Sequence, residues 1–218
     1  MQLTTSGNAS NPPKWSSDGR RIVYTVADGG YTSVHGISAN GGVPRRLTGG
    51  PFVDQRATLS RDGQTIYFPS NRSGTKEIWK IPTSYGISVQ ITPNGEMRDI
   101  PQESPDRRFI YYIKLVGTPC SVWKMPVGGG EETGILDSVH CAGQWAFWKE
   151  GIYFFRPASE KGHSDICLYE FAIGKISKVL TIERPIFYYI EASPDGRTIL
   201  CTQLDQAGTD LMLIENFR

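Results

Sequence analysis

The sequence lacks an excess of either charge and lacks long apolar runs. It has 23 Lys and Arg against 22 Asp and Glu, a net charge of +1 over 218 residues. Surfaces that follow a nucleic-acid backbone need a basic excess, so neither DNA nor RNA is expected as a partner. No apolar run reaches the ~18 residues that span a bilayer, and residues 1–7 have neither the basic start nor the apolar segment of a signal peptide. We therefore expect no membrane insertion, and a cytoplasmic location unless the chain is a piece of a longer, extracytoplasmic protein.

Signatures of catalysis and of cofactor binding are missing as well. The sequence has no Gly-x-Ser-x-Gly nucleophile elbow, and the Gly-rich stretch 128–130 lacks the Lys and the helix of a phosphate loop. The four cysteines are not spaced as compact zinc ligands. We predict no catalytic residue, no metal and no cofactor. Cys167 and Cys201 fall in predicted strands as small apolar residues, whereas Cys120 and Cys141 lie near predicted loops and can pair in an oxidising compartment.

What the sequence does contain is a repeat. A four-residue turn motif, seen as Ser-Ser-Asp-Gly at 16–19 and Ser-Pro-Asp-Gly at 193–196, returns along the whole chain. A second marker, a strand that ends in Leu-Thr or Ile-Thr, recurs in step with it. The acidic turn positions are 18, 62, 106, 150 and 195. The strand-end positions are 4, 48, 92, 136 and 181, of which 136 is Leu and the others are Thr, so both markers step by 44, 44, 44 and 45 residues. Two independent markers with one period indicate a true structural repeat.

Each repeat predicts four short strands. A run rich in β-branched and aromatic residues follows each turn, and Gly at the turn accepts a positive φ without steric cost. Short strands repeating every 40–50 residues are typical of a β-propeller with one four-stranded blade per repeat. We therefore predict an all-β, five-bladed β-propeller of four-stranded antiparallel blades, a single domain over 1–218. The predicted repeats are 5–48, 49–92, 93–136, 137–181, and 182–218 together with 1–4.

The two ends of the chain suggest how the ring closes. The last repeat stops after its third strand, whereas residues 2–4 resemble a fourth strand with no blade before it. An open strand edge invites aggregation, and ring closure removes it. We expect the N-terminal strand to complete the last blade. The alternative is that the chain is an excerpt of a longer propeller.

The turn motif also carries a family resemblance. Its clearest copy, at 193–196, resembles the Ser-Pro-Asp-Gly repeats of the TolB family and of related bacterial β-propellers. Segment 193–218 is similar to the carboxyl end of propellers fused to winged-helix regulators or Ser/Thr kinases. The resemblance implies a propeller with a sensory or scaffold role in a larger bacterial protein. The sequence departs from the pattern at 149–151 and at Arg107, where Gly is expected, and neither departure is expected to change the fold.

The candidate site comes from the position of loops in a propeller. Ligands of propellers usually bind where the innermost strands, and the loops before them, converge on the central channel. The loops between second and third strands open on the same face, and Arg and aromatic residues are typical of recognition surfaces. We predict that this face binds a protein partner or a small ligand, and that the protein is a monomer. The predicted binding residues are Asp54, Arg56, Arg72, Arg98, Trp145 and Tyr188.

Other polar residues are of types that can be catalytic, but their positions favour structural roles. The turn acids are expected to be structural, since Asp bonds its own turn backbone. Glu103 and Glu191 lie on predicted inner strands, where glycosidase propellers place paired acids, but their different offsets from the turn predict that they do not converge. His35 shares a column with core residues and is expected to be packed. The sequence thus favours a non-enzymatic binding or sensory module, with a glycosidase-like hydrolase and a peptidase-gating propeller as alternatives.

Overall fold

The computed structural model describes residues 2–4, 9–84, 86–93, 95–115, 117–141, 145–148, 151–157, 162–184, 186–193, 197–205 and 208–215. These residues form strands and turns, and none of the described segments contains a helix that could cross a membrane. The strands are β1 (Ala9–Trp15), β2 (Arg21–Asp28), β3 (Tyr31–Ser38), β4 (Arg45–Arg46), β5 (Thr58–Leu59), β6 (Thr65–Ser70), β7 (Glu77–Pro82), β8 (Val89–Gln90), β9 (Arg98–Glu103), β10 (Phe109–Lys114), β11 (Cys120–Pro126), β12 (Thr133–Val139), β13 (Ala146–Trp148), β14 (Gly151–Pro157), β15 (Ser164–Glu170), β16 (Lys175–Ile182), β17 (Ile186–Ala192), β18 (Thr198–Asp205) and β19 (Gly208–Glu215).

The strands pair with their neighbours along the chain. Sheets β1–β4, β5–β8, β9–β12 and β13–β16 each contain four strands in sequence order, and the described part of the last sheet contains β17–β19. The all-β fold of four-stranded antiparallel sheets is therefore confirmed. Residues 2–4 lie outside any strand, and Leu3 packs against Ile22, Tyr24 and Ile37 of the first sheet. Five-blade closure by an N-terminal strand stays a prediction.

Contacts divide the chain into two compact units. The first comprises Met1–Val116 and Val122–Ile135, and the second comprises Gly117–Ser121 and Leu136–Arg218. In the first unit the strand pleat sends alternate residues to opposite faces of each sheet. Ile66 and Phe68 of β6 join a cluster with Val23 and Val34 of the first sheet, whereas Tyr67 joins a cluster with residues of the third sheet.

The second unit has a core of its own. It consists of nine buried residues of strands β13 to β18: Ala146, Tyr153, Phe155, Ile166, Ile182, Ile186, Ile190, Ile199 and Cys201. Burying a side chain as large as Ile or Phe contributes about 1.5–3 kcal/mol. Apolar burial of this kind stabilises both units.

The repeated turn is held by its own side chains, as the sequence predicted. The Ser16 hydroxyl donates to Asp18 Oδ1 at 2.6 Å, and the backbone N–H of Arg20 donates to the same oxygen at 3.0 Å. These two hydrogen bonds lower the pKa of Asp18, and the bond from Ser16 has the larger effect. The same bonds recur around Asp62 and Asp106, so the described turn acids are structural. Positions 150 and 195 lie outside the described residues.

Arg107 shows how one departure from the repeat is accommodated. Its φ is 62°, close to the 68° of the glycines at the equivalent positions, Gly19 and Gly63. The turn therefore keeps its shape with an L-residue in the left-handed region, which costs about 1–2 kcal/mol. The Arg107 guanidinium donates to Asp62 Oδ2 at 2.7 Å in the preceding copy of the turn, and both side chains are exposed.

Candidate functional site

A bulge shapes the start of β9. Asp99 pairs with Ile113 and Gln102 with Tyr111, so two residues of β9 oppose a single residue of β10. The first of the two, Ile100, has a φ of 54°, and Arg56, one repeat earlier, has a φ of 43°. Positive φ is strained for non-glycine residues and most of all for β-branched ones. Bulges re-aim side chains, and this one sits beside the charged residues that precede β5 and β9.

Asp54 and Arg72, both predicted binding residues, bond to each other. Arg72 Nη2 lies 2.9 Å from Asp54 Oδ1 and 2.7 Å from Oδ2, and Arg72 Nε donates to Ser70 Oγ at 2.9 Å. Asp54 is 1% exposed and Arg72 is 12% exposed. The guanidinium also lies about 5 Å from the ring centres of Phe52, Phe68 and Trp79. The pair is buried and neutralised, so it holds the loop before β5 against the β6–β7 turn.

Arg98 is the centre of a buried ionic cluster. Its side chain is 2% exposed. Nη1 donates to Glu77 Oε2 at 2.7 Å, and Nε donates to Glu132 Oε1 at 2.7 Å. Nη1 also donates to the carbonyls of Pro93 and Glu96, at 2.9 and 2.8 Å. Burial lowers the pKa of Arg98, but the hydrogen bonds to Glu132 and Glu77 and the charges of these carboxylates outweigh burial and raise the pKa. The structure thus places this predicted binding residue inside the first unit, where it ties loops together.

Glu132 gathers three donors from neighbouring strands. Besides Arg98, it accepts from the Tyr112 hydroxyl and from Lys114 Nζ, the latter at 2.9 Å. Burial raises the pKa of this carboxyl, but the hydrogen bonds from Arg98, Tyr112 and Lys114 outweigh burial and lower the pKa to about 2. Lys114 also lies 3.7 Å from the centre of the Trp123 ring. Each of these charges has a partner, as buried charges require.

Arg56 belongs to a more open group of charges, the Asp99 cluster, made of Arg56, Lys76 and Asp99. Asp99 Oδ2 lies 3.3 Å from Arg56 Nη1 and 3.1 Å from Lys76 Nζ. Asp99 is 6% exposed, whereas Arg56 is 31% and Lys76 is 20% exposed. Two cations face one carboxylate, so the cluster carries a net positive charge near the surface. It can accept an anionic group without losing its own internal pairing.

Two predicted site residues, Trp145 and Tyr188, belong to the second unit. Trp145 is 2% exposed and packs edge-on against Phe147, with ring centres 4.9 Å apart. Its indole is therefore part of the interior of that unit. The side chain of Tyr188 lies outside the described residues, so its predicted role stays a prediction.

The four cysteines form one disulfide and two buried free thiols, an arrangement that the sequence allowed. Cys120 and Cys141 form a disulfide whose Cα atoms are 5.0 Å apart. Cys167 and Cys201 are free and buried, and burial raises the pKa of both thiols. The unpaired thiols are thus inert, while the disulfide ties the start of β11 to the loop after β12.

Glu103 and His35, two of the possible catalytic residues, have structural surroundings. Glu103 is buried, its carboxylate accepts the backbone N–H of Arg61, and burial raises its pKa. Glu191 is exposed. His35 is half-buried with Nε2 3.0 Å from Ser33 Oγ, and burial lowers its pKa. Within the described residues, no three His, Cys, Asp or Glu side chains come together as a metal site would require.

Three cluster members carried no signal in the sequence. Lys76 is a lone lysine in a loop, and Glu77 stands where the neighbouring repeats have Ser33 and Ser121. Glu132 lies in a polar stretch without a motif. The same position is Asp165 and Asp210 in the last two repeats, so an acid at position 77 does not stand out from the repeat pattern.

Comparisons with known proteins agree on the fold. A family model described as the TolB beta propeller domain matches residues 2–141. An uncharacterized protein of Agrobacterium fabrum is 27% identical over 99 residues, which are 45% of this chain and 34% of that protein. The chain thus spans about a third of the length of this curated relative.

Solved structures include TolB from Acinetobacter baumannii, with a TM-score of 0.80 and 14% identity over 98% of this chain and 53% of that one. A putative TolB from Agrobacterium tumefaciens has a TM-score of 0.69 and 18% identity over 98% of this chain and 78% of that one. The tricorn protease has a TM-score of 0.70 and 11% identity over 97% of this chain and 26% of that one. At these identities the similarity shows the fold.

Proposed function

Because the chain belongs to the TolB beta propeller domain family, we propose that it is a non-enzymatic module that binds a protein partner through the loops before β5 and β9. The family match establishes that the chain is a TolB-like propeller. The partner, the binding surface and the absence of catalysis are the proposal. A larger regulator of which this propeller is one part is the context we expect.

The observation that carries the proposal is the accessibility of Arg56. Among the predicted charged residues of the first unit, Arg56 is 31% exposed, against 1% for Asp54, 12% for Arg72 and 2% for Arg98. Asp99 holds the guanidinium through one contact of 3.3 Å. Arg offers a rigid fork of donors to a carboxylate, and a guanidinium that is already positioned loses little side-chain entropy on binding. We therefore expect the partner to present an acidic segment to the Asp99 cluster.

The buried predicted residues take a supporting role in this proposal. Arg98 and Trp145 are each 2% exposed, so a partner reaches them little. Their replacement should lower stability together with binding. Replacement of Arg56 should lower binding alone, since a half-exposed loop residue contributes little to the core.

The test is quantitative capture followed by calorimetry. Partners are captured on the immobilised wild-type chain, on Arg56→Ala and Lys76→Ala, and on Arg61→Ala, a matched control because Arg61 is an exposed turn residue outside the Asp99 cluster. A partner that is lost on the first two variants and kept on the control is then titrated. We expect more than about 1 kcal/mol of lost binding for Arg56→Ala if it is a hot spot, with an unchanged melting temperature.

Two results would overturn the proposal. One is equal binding by Arg56→Ala and by the wild type. The other is turnover of a glycoside or peptide that disappears in Glu103→Gln, which would favour the hydrolase alternative. The peptidases among the similar structures share the fold at low identity, and the chain covers only 26% of the tricorn protease, so they give no separate support for a peptidase role.

A further inference from the structure

A cleft of about 380 Å³ lies between the first two sheets, on the side of the repeated turns. Its floor includes Val23 and Leu47 from the first sheet and its edge, and Leu59 and Ile66 from the second. Val23 is 2% exposed and Ile66 is 0% exposed, so the apolar floor is continuous with the core. We propose that this cleft binds a small amphipathic carboxylate, an apolar chain that ends in one carboxyl group.

One glycine, Gly36, lies in the wall of the cleft. Gly36 pairs with Val23 and lines the cleft. In the second sheet the corresponding residue, paired with Tyr67, is Lys80. A Cβ on Gly36 would come within 3.1 Å of Leu47 Cδ1. The first sheet therefore has no side chain at the position where the second sheet has Lys80.

The charge of the lining selects the ligand. Arg21 and Arg45 line the cleft, and none of its described lining residues is acidic. Arg45 is half-buried and donates from Nη2 to the carbonyl of Thr83 across the cleft, which fixes the guanidinium at the wall. Asp18 lies near Arg21, whose charge contributes to its lowered pKa, but Asp18 is not a lining residue. Two cations beside an apolar floor match an anion that carries an apolar body, because guanidinium binds carboxylate through charge-assisted hydrogen bonds.

The size of the cleft limits the occupant to a small molecule. Small-ligand sites run from about 300 to 1,000 Å³ and combine an apolar lining with a few placed polar groups. At 380 Å³ this cleft is near the lower end of that range. Val43, 93% exposed, lies at the edge and adds apolar surface for a protruding chain. A straight-chain carboxylate of about eight carbons is therefore a suitable probe, because its apolar chain fits the floor of the cleft, its charge is opposite to that of the two arginines, and its size fits the volume.

The test is isothermal titration of octanoate into the full chain at neutral pH. 1-Octanol has the same apolar body without the charge, and octylamine carries the opposite charge. Arg21→Gln and Arg45→Gln remove the cations in turn, and Gly36→Val fills the cleft. Arg20→Gln is the matched control, since Arg20 is exposed and next to Arg21 but does not line the cleft.

We expect octanoate to bind, with each Arg→Gln change in the cleft weakening it by about ten- to hundredfold, the usual loss of a hydrogen bond to a charged group. Gly36→Val should abolish binding, and Arg20→Gln should leave it unchanged. The proposal is overturned if octanoate does not bind, if 1-octanol binds equally well, or if binding survives in a folded Gly36→Val. Should Gly36→Val fail to fold, the two Arg variants still decide.

This inference is independent of the proposed protein partner. Arg56, Lys76 and Asp99 do not line the cleft, and the lining residues are not members of the Asp99 cluster. Loss of octanoate binding in Arg45→Gln with partner capture intact separates the two sites.

Discussion

Glu132 gives the sharpest test of the buried ionic cluster, and Glu132→Gln is the perturbation. Its carboxylate accepts hydrogen bonds from Arg98, Tyr112 and Lys114, and the side chain is 13% exposed. Glutamine keeps the size of the side chain but removes the charge. Arg98, 2% exposed, then retains Glu77 as its buried anionic partner, while Lys114 retains Glu96.

The size of the effect follows from the pKa. The Glu132 carboxyl falls from an ordinary value of 4.5 to about 2 in the folded protein. A shift of that size corresponds to about 3 kcal/mol of stability at neutral pH. Because the folded pKa is the lower one, this contribution is present above pH 4.5 and is lost as the pH falls from there toward about 2. Breaking a buried pair by removing one partner costs a similar amount, about 3–5 kcal/mol.

The assay is urea unfolding of the wild type and the variant at several pH values between 7 and 2.5. We expect the variant to be less stable by about 2–4 kcal/mol at pH 7 and the difference to shrink as the pH drops through 4. The stability of the variant is subtracted from that of the wild type at each pH. Burial raises the pKa of Glu103, so Glu103 changes stability with pH in the direction opposite to Glu132, and the subtraction removes this contribution because both proteins contain Glu103. Glu131→Gln is the control, since Glu131 is exposed and adjacent. A difference that stays constant from pH 7 to 2.5, or an equal loss in the control, would refute the reasoning.

Three further changes test the turns and the disulfide. Gly63→Val should cost about 1–3 kcal/mol in urea unfolding, because φ at this position is 68° and a β-branched residue is strained there; no loss would contradict the turn geometry. Arg107→Gly should leave stability unchanged or raise it by up to about 1 kcal/mol, since relief of the left-handed strain exceeds the loss of an exposed ion pair with Asp62; a clear destabilisation would show that the pair matters more. Changing Cys120 and Cys141 together to Ser should lower stability by about 2–4 kcal/mol under oxidising conditions and by nothing under reducing ones; a wild type whose melting ignores a reductant would count against the disulfide.

The fold was predictable because its determinants are local and repeated. The Ser-x-Asp-Gly turn needs a hydroxyl, a carboxylate and a residue that accepts positive φ within four positions, and the structure shows these bonds at Asp18 and Asp62. The two-residue period of a strand likewise assigns Ile66 and Tyr67 of β6 to opposite faces, and both are buried. Such features depend on neighbours in the chain, which the sequence displays directly.

The candidate site was less predictable because its determinants are distant. Asp54 and Arg98 occupy the same place in successive repeats, 44 residues apart, yet carry opposite charges. Asp54 finds Arg72 in its own repeat, whereas Arg98 finds Glu77 in the repeat before and Glu132 further along. The sequence pattern located both at the loop before a first strand. It could not reveal that both side chains are buried, since burial depends on oppositely charged partners that no motif marks.

Exposure determines how a loss of binding in a site variant is interpreted. Arg56 and Arg98 are both cations that precede or begin a first strand, but Arg56 is 31% exposed and Arg98 is 2% exposed. A loss of binding in Arg98→Ala is therefore ambiguous, because it removes the partner of the buried Glu77 and destabilises the loops around it. Arg56→Ala leaves Asp99 paired with Lys76, so its surroundings stay satisfied. Binding lost at Arg56 with stability unchanged is consequently the result that assigns recognition to this surface rather than to the integrity of the fold.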